Sequence, residues 1–391
     1  MKRLKFMMKL LIKNSSVKNT LILFILFEAV NFFVLFATHY FSPIVKLYRF
    51  DDNSWGILRA FGNFDGFHYH HIAKEGYGQF QEAFFPLYPL IIKITSFATN
   101  TYFINAIIIS NVSFLILLYL LFLFFEDLIG KEKTLWFIFL LTIFPTSFFF
   151  GMVYTESLFL MFFISYLYSF KHEKHFLASV FGFLTGVTRL IGIFTFIPIL
   201  IYLIINRKKI DVKNTFVILS PILGFLSYAY YLYLTTGDFL KFLHVQPQFG
   251  ANRSAEIILL PQVIFRYFKI FITANIDFVY FVAVVEFVVF CFVFGLLLYQ
   301  LSKLLKKQYK IKKPENYSWL IGLNIFSLIN LVLPTLTGTF TSVPRYVLLS
   351  LSFFITLAFV DSKLIKYTVS IVFIIFHVIF LSYFYRNFFI G

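Results

Sequence analysis

The sequence predicts an all-α protein that crosses a membrane many times, and three observations predict it. Apolar runs of about 20 residues recur along the whole 391-residue chain, each long enough to cross a hydrocarbon core. Charged residues make up 13% of the chain and hydrophobic ones 60%, where soluble domains carry about 25% charged residues. Mean hydropathy is +0.84. Finally, the Lys and Arg residues gather in short clusters between the apolar runs, where they set topology. The net charge of +16 is therefore read as membrane-surface anchoring, and nucleic acid is excluded as a partner.

Taken in order, the chain opens on a basic lead over 2–18 and an apolar stretch over 21–36. Ala37-Thr38-His39-Tyr40-Phe41 follows in place of a small-residue cleavage site, which predicts a retained first helix. About eleven hydrophobic segments follow from the pattern: 20–40, 101–125, 134–150, 155–170, 175–188, 190–206, 214–235, 273–302, 317–335, 346–360 and 367–385. Most of the 34 Lys and Arg lie in 1–19, 126–133, 171–175, 207–213, 303–313 and 361–366. These connections alternate with 41–100, 146–155, 188–190, 236–272, 336–345 and 386–391. The first set is expected in the cytoplasm, with the N-terminus, and the second outside. Residues 175–206 join two cytoplasmic clusters, so they are expected to enter and return, with Arg189 near the turn. The competing reading of Arg189 is a headgroup contact. The whole chain, 1–391, reads as one transmembrane domain with outer loops at 41–100 and 236–272 and no internal repeat. Cys291 is the single cysteine, so no internal disulfide is possible.

The least membrane-like stretch is 41–100, with Asp51, Asp52, Asp65, His68, His70, His71, Glu75 and Glu82. Its aromatic and polar residues over 67–73 suit an interfacial helix with Phe67, His71 and Lys74 on one side and His68 and Glu75 on another. Gly76 is expected to end that helix, and Phe84-Phe85-Pro86-Leu87-Tyr88-Pro89 forms an aromatic belt before the next span. Three readings of the loop compete. It is a solvated interfacial loop. Or His68, His70 and His71 hold a divalent metal near Asp65, although the HExxH-like pattern is incomplete. Or Asp65 is a catalytic carboxylate, able to take a proton from an acceptor hydroxyl beside a departing phosphate. Glu28 and Glu286 lie inside apolar spans and are functional suspects with no partner legible in the sequence.

Several stretches resemble one family in the right order. The run Phe64-Asp65-Gly66-Phe67-His68-Tyr69-His70-His71-Ile72-Ala73-Lys74-Glu75-Gly76-Tyr77 resembles the W-D-x-x-H/W-Y/F-x-x-I-A-x-x-G-Y motif of the PIG-V mannosyltransferases and their prokaryotic relatives. Phe84-Phe85-Pro86-Leu87-Tyr88-Pro89 resembles the F-F-P-x-x-P that follows it there. Pro145-Thr146-Ser147 and Tyr154-Thr155-Glu156-Ser157-Leu158-Phe159 resemble the family's P-x-S and Y-S/T-E-S-L-F. Gly186-Val187-Thr188-Arg189, Gly237-Asp238-Phe239 and Pro344-Arg345-Tyr346-Val347-Leu348 resemble its later motifs. The resemblance covers most of the chain. It departs at Phe64, where the family carries Trp, and that departure bears on which sugar is used.

The resemblance implies a GT-C-like helical bundle with interfacial helices in the first outer loop. It implies transfer of a hexose, by family habit mannose, from a polyprenyl-phosphate donor to a hydroxyl of a lipid or cell-surface glycan. It carries the general-base role to Asp65. Arg345 and Arg189 are then candidates for donor phosphate, a guanidinium being suited to phosphate oxygens, and Arg345 is alternatively a helix-end anchor. His68 either orients Asp65 or contacts phosphate, and Tyr69, Glu156, Asp238 and Tyr346 are the further substrate-binding candidates. Glu156 also fits as a carboxylate at a helix start. No cofactor is called for, since the donor is already lipid-linked and no Gly-rich nucleotide loop is present. The short loops and the Lys- and Phe-rich composition point to a prokaryotic plasma membrane, with the active site facing outside. The rival readings are a transporter or flippase of lipid-linked sugars, which would show paired broken helices in both halves, and a non-catalytic subunit of a glycosylation complex.

Overall fold

The computed structural model describes residues 15–41, 53–250, 252–311 and 313–390. Asp51 and Asp52, the reserve carboxylates of the first loop, lie outside them. Regular structure among the described residues is helical throughout. In chain order the helices are α1 (Ser16–Phe41), α2 (Asp65–Glu75), α3 (Leu87–Ser96), α4 (Tyr102–Ile129), α5 (Lys131–Thr142), α6 (Glu156–Lys171), α7 (His175–Thr188) and α8 (Ile197–Ile205). They continue with α9 (Val212–Thr236), α10 (Lys241–His244), α11 (Leu260–Thr273), α12 (Phe278–Leu305), α13 (Glu315–Val332), α14 (Val343–Tyr346), α15 (Leu351–Ala358) and α16 (Lys363–Tyr385).

Among the described residues, six stretches are long and apolar enough to cross a membrane: α1, α4, α9, α12, α13 with its 3-10 extension to Thr337, and α16. The protein is thus a multi-pass, all-helical membrane protein. The count differs from the eleven segments read from the sequence because several apolar runs are broken. Segment 134–150 is helical only to Thr142, and a 3-10 turn over Ser147–Phe150 follows Pro145. Segment 346–360 holds the end of α14, a 3-10 turn over Val347–Leu349 and the eight residues of α15. Segment 190–206 begins as a 3-10 turn over Leu190–Phe194. Conversely, α11 forms late in the expected outer loop 236–272.

Helix α6 is buried on almost every side, packed between α4 and α7, and α13 is enclosed in the same way by α8, α12 and α15. Helices apolar all round belong inside a bundle. Large apolar side chains are exposed along α1, α4, α7, α9, α11, α12 and α16.

Small residues set the closest helix contact. A Cβ on Gly186 would come within 2.1 Å of the Pro221 carbonyl oxygen, and one on Gly224 within 2.1 Å of the Phe183 carbonyl oxygen. Helices α7 and α9 therefore touch backbone to backbone, a known use of glycine within membranes. Pro221 has no N–H, which frees the Val217 carbonyl inside α9. Tyr166 Oη (3.0 Å) and Ser220 Oγ (2.8 Å) both donate to it. Where no water enters, such repair is what makes a helix proline tolerable.

Candidate active site

The site starts from a short loop before α2. Phe61 O accepts from the Val153 N–H at 3.0 Å, and Asn63 O accepts from the Tyr154 hydroxyl at 2.8 Å. Asn63 Nδ2 donates to Phe384 O at 2.8 Å, tying the loop to α16 as well. Gly66 lies against the same strip: a Cβ there would sit 3.3 Å from Val153 O. These contacts bring the start of α2 beside the start of α6. Phe64 takes φ +57°, ψ −115°, a strained conformation for a bulky residue. Its ring is locked against Phe384 and Phe389. Strain of this kind persists only where the surroundings over-determine it, and it concentrates at functional sites. Asp65 is the first residue of α2, where a carboxylate suits the helix dipole. The helix ends as expected at Gly76, φ +92°, whose N–H reaches Ile72 O. Its buried face is Gly66, Tyr69, Ile72 and Ala73.

Four charged residues named from the sequence meet here. Arg345 Nη1 donates to Asp65 Oδ2 at 2.6 Å. Arg189 Nη1 donates to Glu156 Oε1 at 2.7 Å and to Thr155 Oγ1 at 2.7 Å. Arg345 Nε lies 3.1 Å from the same Glu156 Oε1, without the alignment of a hydrogen bond. Glu156 is fully buried, and its Oε2 has no hydrogen-bond partner among the described residues. The Arg345 and Arg189 side chains are 7% and 12% exposed, and Asp65, at 28%, is the member open to a ligand.

Local structure dictates these positions. Arg189 lies in extended backbone at the break between α7 and the 3-10 turn Leu190–Phe194. Arg345 rides on α14, one turn long, entered through Ser342 at φ +68°. Thr146 Oγ1 donates to Pro344 O at 2.8 Å, and Asn330 Nδ2 donates to Tyr346 O at 2.8 Å, so two distant elements fix that turn. The guanidinium is framed by the rings of Tyr154, Phe149 and Tyr346 at 5.2, 5.5 and 5.5 Å. The Tyr346 ring also lies 6.0 Å from the Arg189 guanidinium.

The electrostatics follow. Burial alone would raise the Asp65 carboxyl, but the paired Arg345 guanidinium, with His68 and Arg253, holds it below the usual carboxylate range. Burial works against the Arg345 charge too, and Asp65 and Glu156 more than offset it. Tyr69 is pushed up to about 12, first by burial, so its hydroxyl stays protonated. That hydroxyl lies 3.5 Å from Thr155 Oγ1. Two carboxylates and two guanidiniums thus form a neutral set at the meeting point of four segments.

The histidines are held otherwise. Gln81 bridges them: its Nε2 lies 3.1 Å from His68 Nδ1 and its Oε1 3.0 Å from His71 Nδ1, while Oε1 also accepts from the Gly78 N–H. The His68 ring stacks on Phe84 at 4.7 Å. Among the described residues no three His, Cys, Asp or Glu side chains converge as a metal set. Asp238 stays apart from the cluster. It pairs with His244 at 2.7 Å and accepts from the Leu240 N–H, closing a local turn after Gly237. Glu286, partnerless in sequence, accepts from the Tyr267 hydroxyl at 2.9 Å and the Ser342 N–H at 3.1 Å, bracing the turn that enters α14. Glu28 Oε1 is buried with no hydrogen-bond partner among the described residues.

Gln81, Thr155 as an Arg189 partner, and Arg253 went unread in the sequence. A glutamine amide carries no charge or periodic signal, and Arg253 sits outside every recognisable motif. No protein-family model matches the chain, and no curated protein matches it.

Proposed function

We propose that this protein is a membrane glycosyltransferase of GT-C type. In this reading it moves a hexose, mannose by family habit, from a polyprenyl-phosphate donor to a hydroxyl of a lipid or glycan acceptor. The shorter apolar helices complete further crossings, and the charge pattern puts the cluster on the outer face. One observation carries the reading. Asp65, Glu156, Arg189 and Arg345 come from four separated motifs and meet in one buried ion-pair set, with Asp65 alone open to a ligand.

Arg345 occupies Asp65 Oδ2, which leaves Oδ1 to accept the acceptor's proton. A carboxylate held low in pKa is a weak base. It suffices if proton transfer comes late, when the attacking oxygen is already bonded to the anomeric carbon and strongly acidic. The new O–C1 bond forms as the C1–O bond to phosphate breaks, the electron pair leaves with the phosphate oxygen, and the hydroxyl proton goes to Asp65. The anomeric configuration inverts. Arg189 and Arg345 hold Glu156 and Asp65 in place.

The test uses purified full-length protein in lipid nanodiscs, polyprenyl-phosphate mannose and a panel of hydroxyl acceptors. Wild type should transfer the sugar, and Asp65→Asn should not. Equal transfer by the variant removes Asp65 as the base. Vectorial movement of an intact lipid-linked sugar across the bilayer, with no transfer to any acceptor, would instead make the protein a flippase.

A further inference from the structure

The cluster around Asp65 poses an electrostatic problem for an anionic donor. Both of its arginines are already matched by carboxylates, so the set offers no uncompensated positive charge. A phosphate entering there needs a further cation. The residues 246–250 and 252–258 supply one. On one side, Phe249 packs its ring against His68 at 5.9 Å and Phe84 at 5.6 Å. On the other, Ser254 N–H donates to Thr337 O at 2.8 Å and Ile258 N–H to Leu336 O at 2.8 Å. Arg266 Nη1 then reaches Gly338 O at 3.2 Å. The segment is therefore a strap, pinned beside α2 at one end and to the 336–338 turn leading to α14 at the other.

Arg253 lies between these anchors. Its N–H closes a turn onto Gly250 O at 3.2 Å, and Gly250 has φ +71°, which favours glycine. The residue is half-buried. Its closest hydrogen-bond partner is the neutral Gln246 Oε1 at a long 3.5 Å, and no carboxylate lies within ion-pair distance of it among the described residues. It is one of the cations that help hold the Asp65 carboxyl below its usual range.

We propose that Arg253 is the phosphate-binding residue of this site, contacting the phosphate of a lipid-linked donor and staying with the lipid monophosphate as it departs. The assignment rests on the glycosyltransferase reading above. A phosphodiester donor carries one negative charge and the monophosphate product about two at neutral pH. A fixed guanidinium therefore binds the departing group more strongly than the intact donor, which is what transition-state stabilisation requires. Arg345 and Arg189 then act as positioning residues for Asp65 and Glu156.

The experiment measures binding of a fluorescent polyprenyl monophosphate, of the matching neutral polyprenol, and of inorganic phosphate as competitor. The full chain is held in zwitterionic nanodiscs. Wild type should bind the monophosphate at least tenfold tighter than the alcohol, and inorganic phosphate should compete only weakly. Arg253→Gln should weaken monophosphate binding by about tenfold to a hundredfold, the scale of a lost hydrogen bond to a charged group, and leave alcohol binding unchanged. Lys269→Gln, which removes an exposed charge from nearby α11, should bind as wild type does. If Arg253→Gln is not monodisperse, Arg253→Met keeps the apolar stem and takes its place. Wild-type affinity in the charge-removed variant overturns the Arg253 assignment and leaves the glycosyltransferase reading standing. An equal loss in Lys269→Gln reduces the effect to bulk charge and also overturns it. Failure of the wild type to prefer monophosphate over alcohol sinks the lipid-phosphate reading itself. Tight binding of inorganic phosphate assigns Arg253 to free phosphate instead.

Discussion

Helix α6 carries an ion-pair network at each end, and the two are built differently. Glu156 begins the helix and Lys171 ends it, about 22 Å apart at the usual rise per residue. At the Lys171 end, Asp127 accepts from Lys171 at 2.7 Å and from Lys313 at 2.9 Å. These side chains are 20% to 53% exposed, so water and salt weaken every pair. At the Glu156 end the acid is fully buried and two guanidiniums converge on it. Removing such charges from water costs several kcal/mol each. Asp127 joins α4, α6 and the start of α13 as an exposed clamp. A buried network of the other kind is a costly way to join helices and points toward chemistry.

The variants that test this contrast run from large to small effect. Asp65→Asn should lower sugar transfer by about 10²- to 10⁴-fold, the usual contribution of a general base, and should also lower the unfolding midpoint, because buried Arg345 loses one of its two carboxylates. Assays of initial rate alongside unfolding would separate the two. Glu156→Gln strands the buried Arg189 guanidinium and takes one of two carboxylates from Arg345, and its cost should be about 3–5 kcal/mol, read as a lower unfolding midpoint. Pairing it with Arg189→Gln should recover part of that loss. A fully additive double variant would mean that the pair does not couple.

The pH response comes next. Asp65 is held below the usual carboxylate range, so its pairing contributes stability that is present above the unfolded value near 3.9 and is lost as pH falls through the lower folded value. Transfer should therefore show no Asp65 titration between about pH 5 and 8. An acidic limb near pH 6 that disappears in Asp65→Asn would contradict the pairing. The smallest effect belongs to Asp127→Asn, which should cost about 1 kcal/mol or less. Raising ionic strength should narrow its difference from wild type and leave the Glu156→Gln difference intact.

Each member of the buried set was legible in the sequence because intramembrane or loop-edge charges stand out against an apolar chain. Their pairing was not. Asp65 and Arg345 are 280 positions apart and Glu156 and Arg189 are 33 apart, and no periodicity links such positions. The first span and α2 with its Gly76 stop followed from local chemistry, and the break at Arg189 followed from the alternation of the Lys and Arg clusters. The extra segments did not survive as long helices, since hydropathy counts apolar residues and cannot see that Pro145 or the turn at 190–194 interrupts them. Asp238 was a substrate-binding candidate because Gly237-Asp238-Phe239 resembles a family motif, and its carboxylate pairs with His244 away from the buried set. Glu286 lacked a partner on paper because its donors, Tyr267 and the Ser342 N–H, carry no charge to draw the eye.

The glycine contacts between α7 and α9 carry a last consequence. Where Gly186 meets the Pro221 carbonyl and Gly224 meets that of Phe183, no gap is left for a methyl group. A prenyl or acyl tail has no room to thread that seam. Any lipid that reaches Asp65 sideways must come in through another wall of the bundle. Labelling the exposed apolar faces of α1, α4, α7, α9, α11, α12 and α16 one at a time with a photo-crosslinking prenyl probe would show which wall holds the entrance.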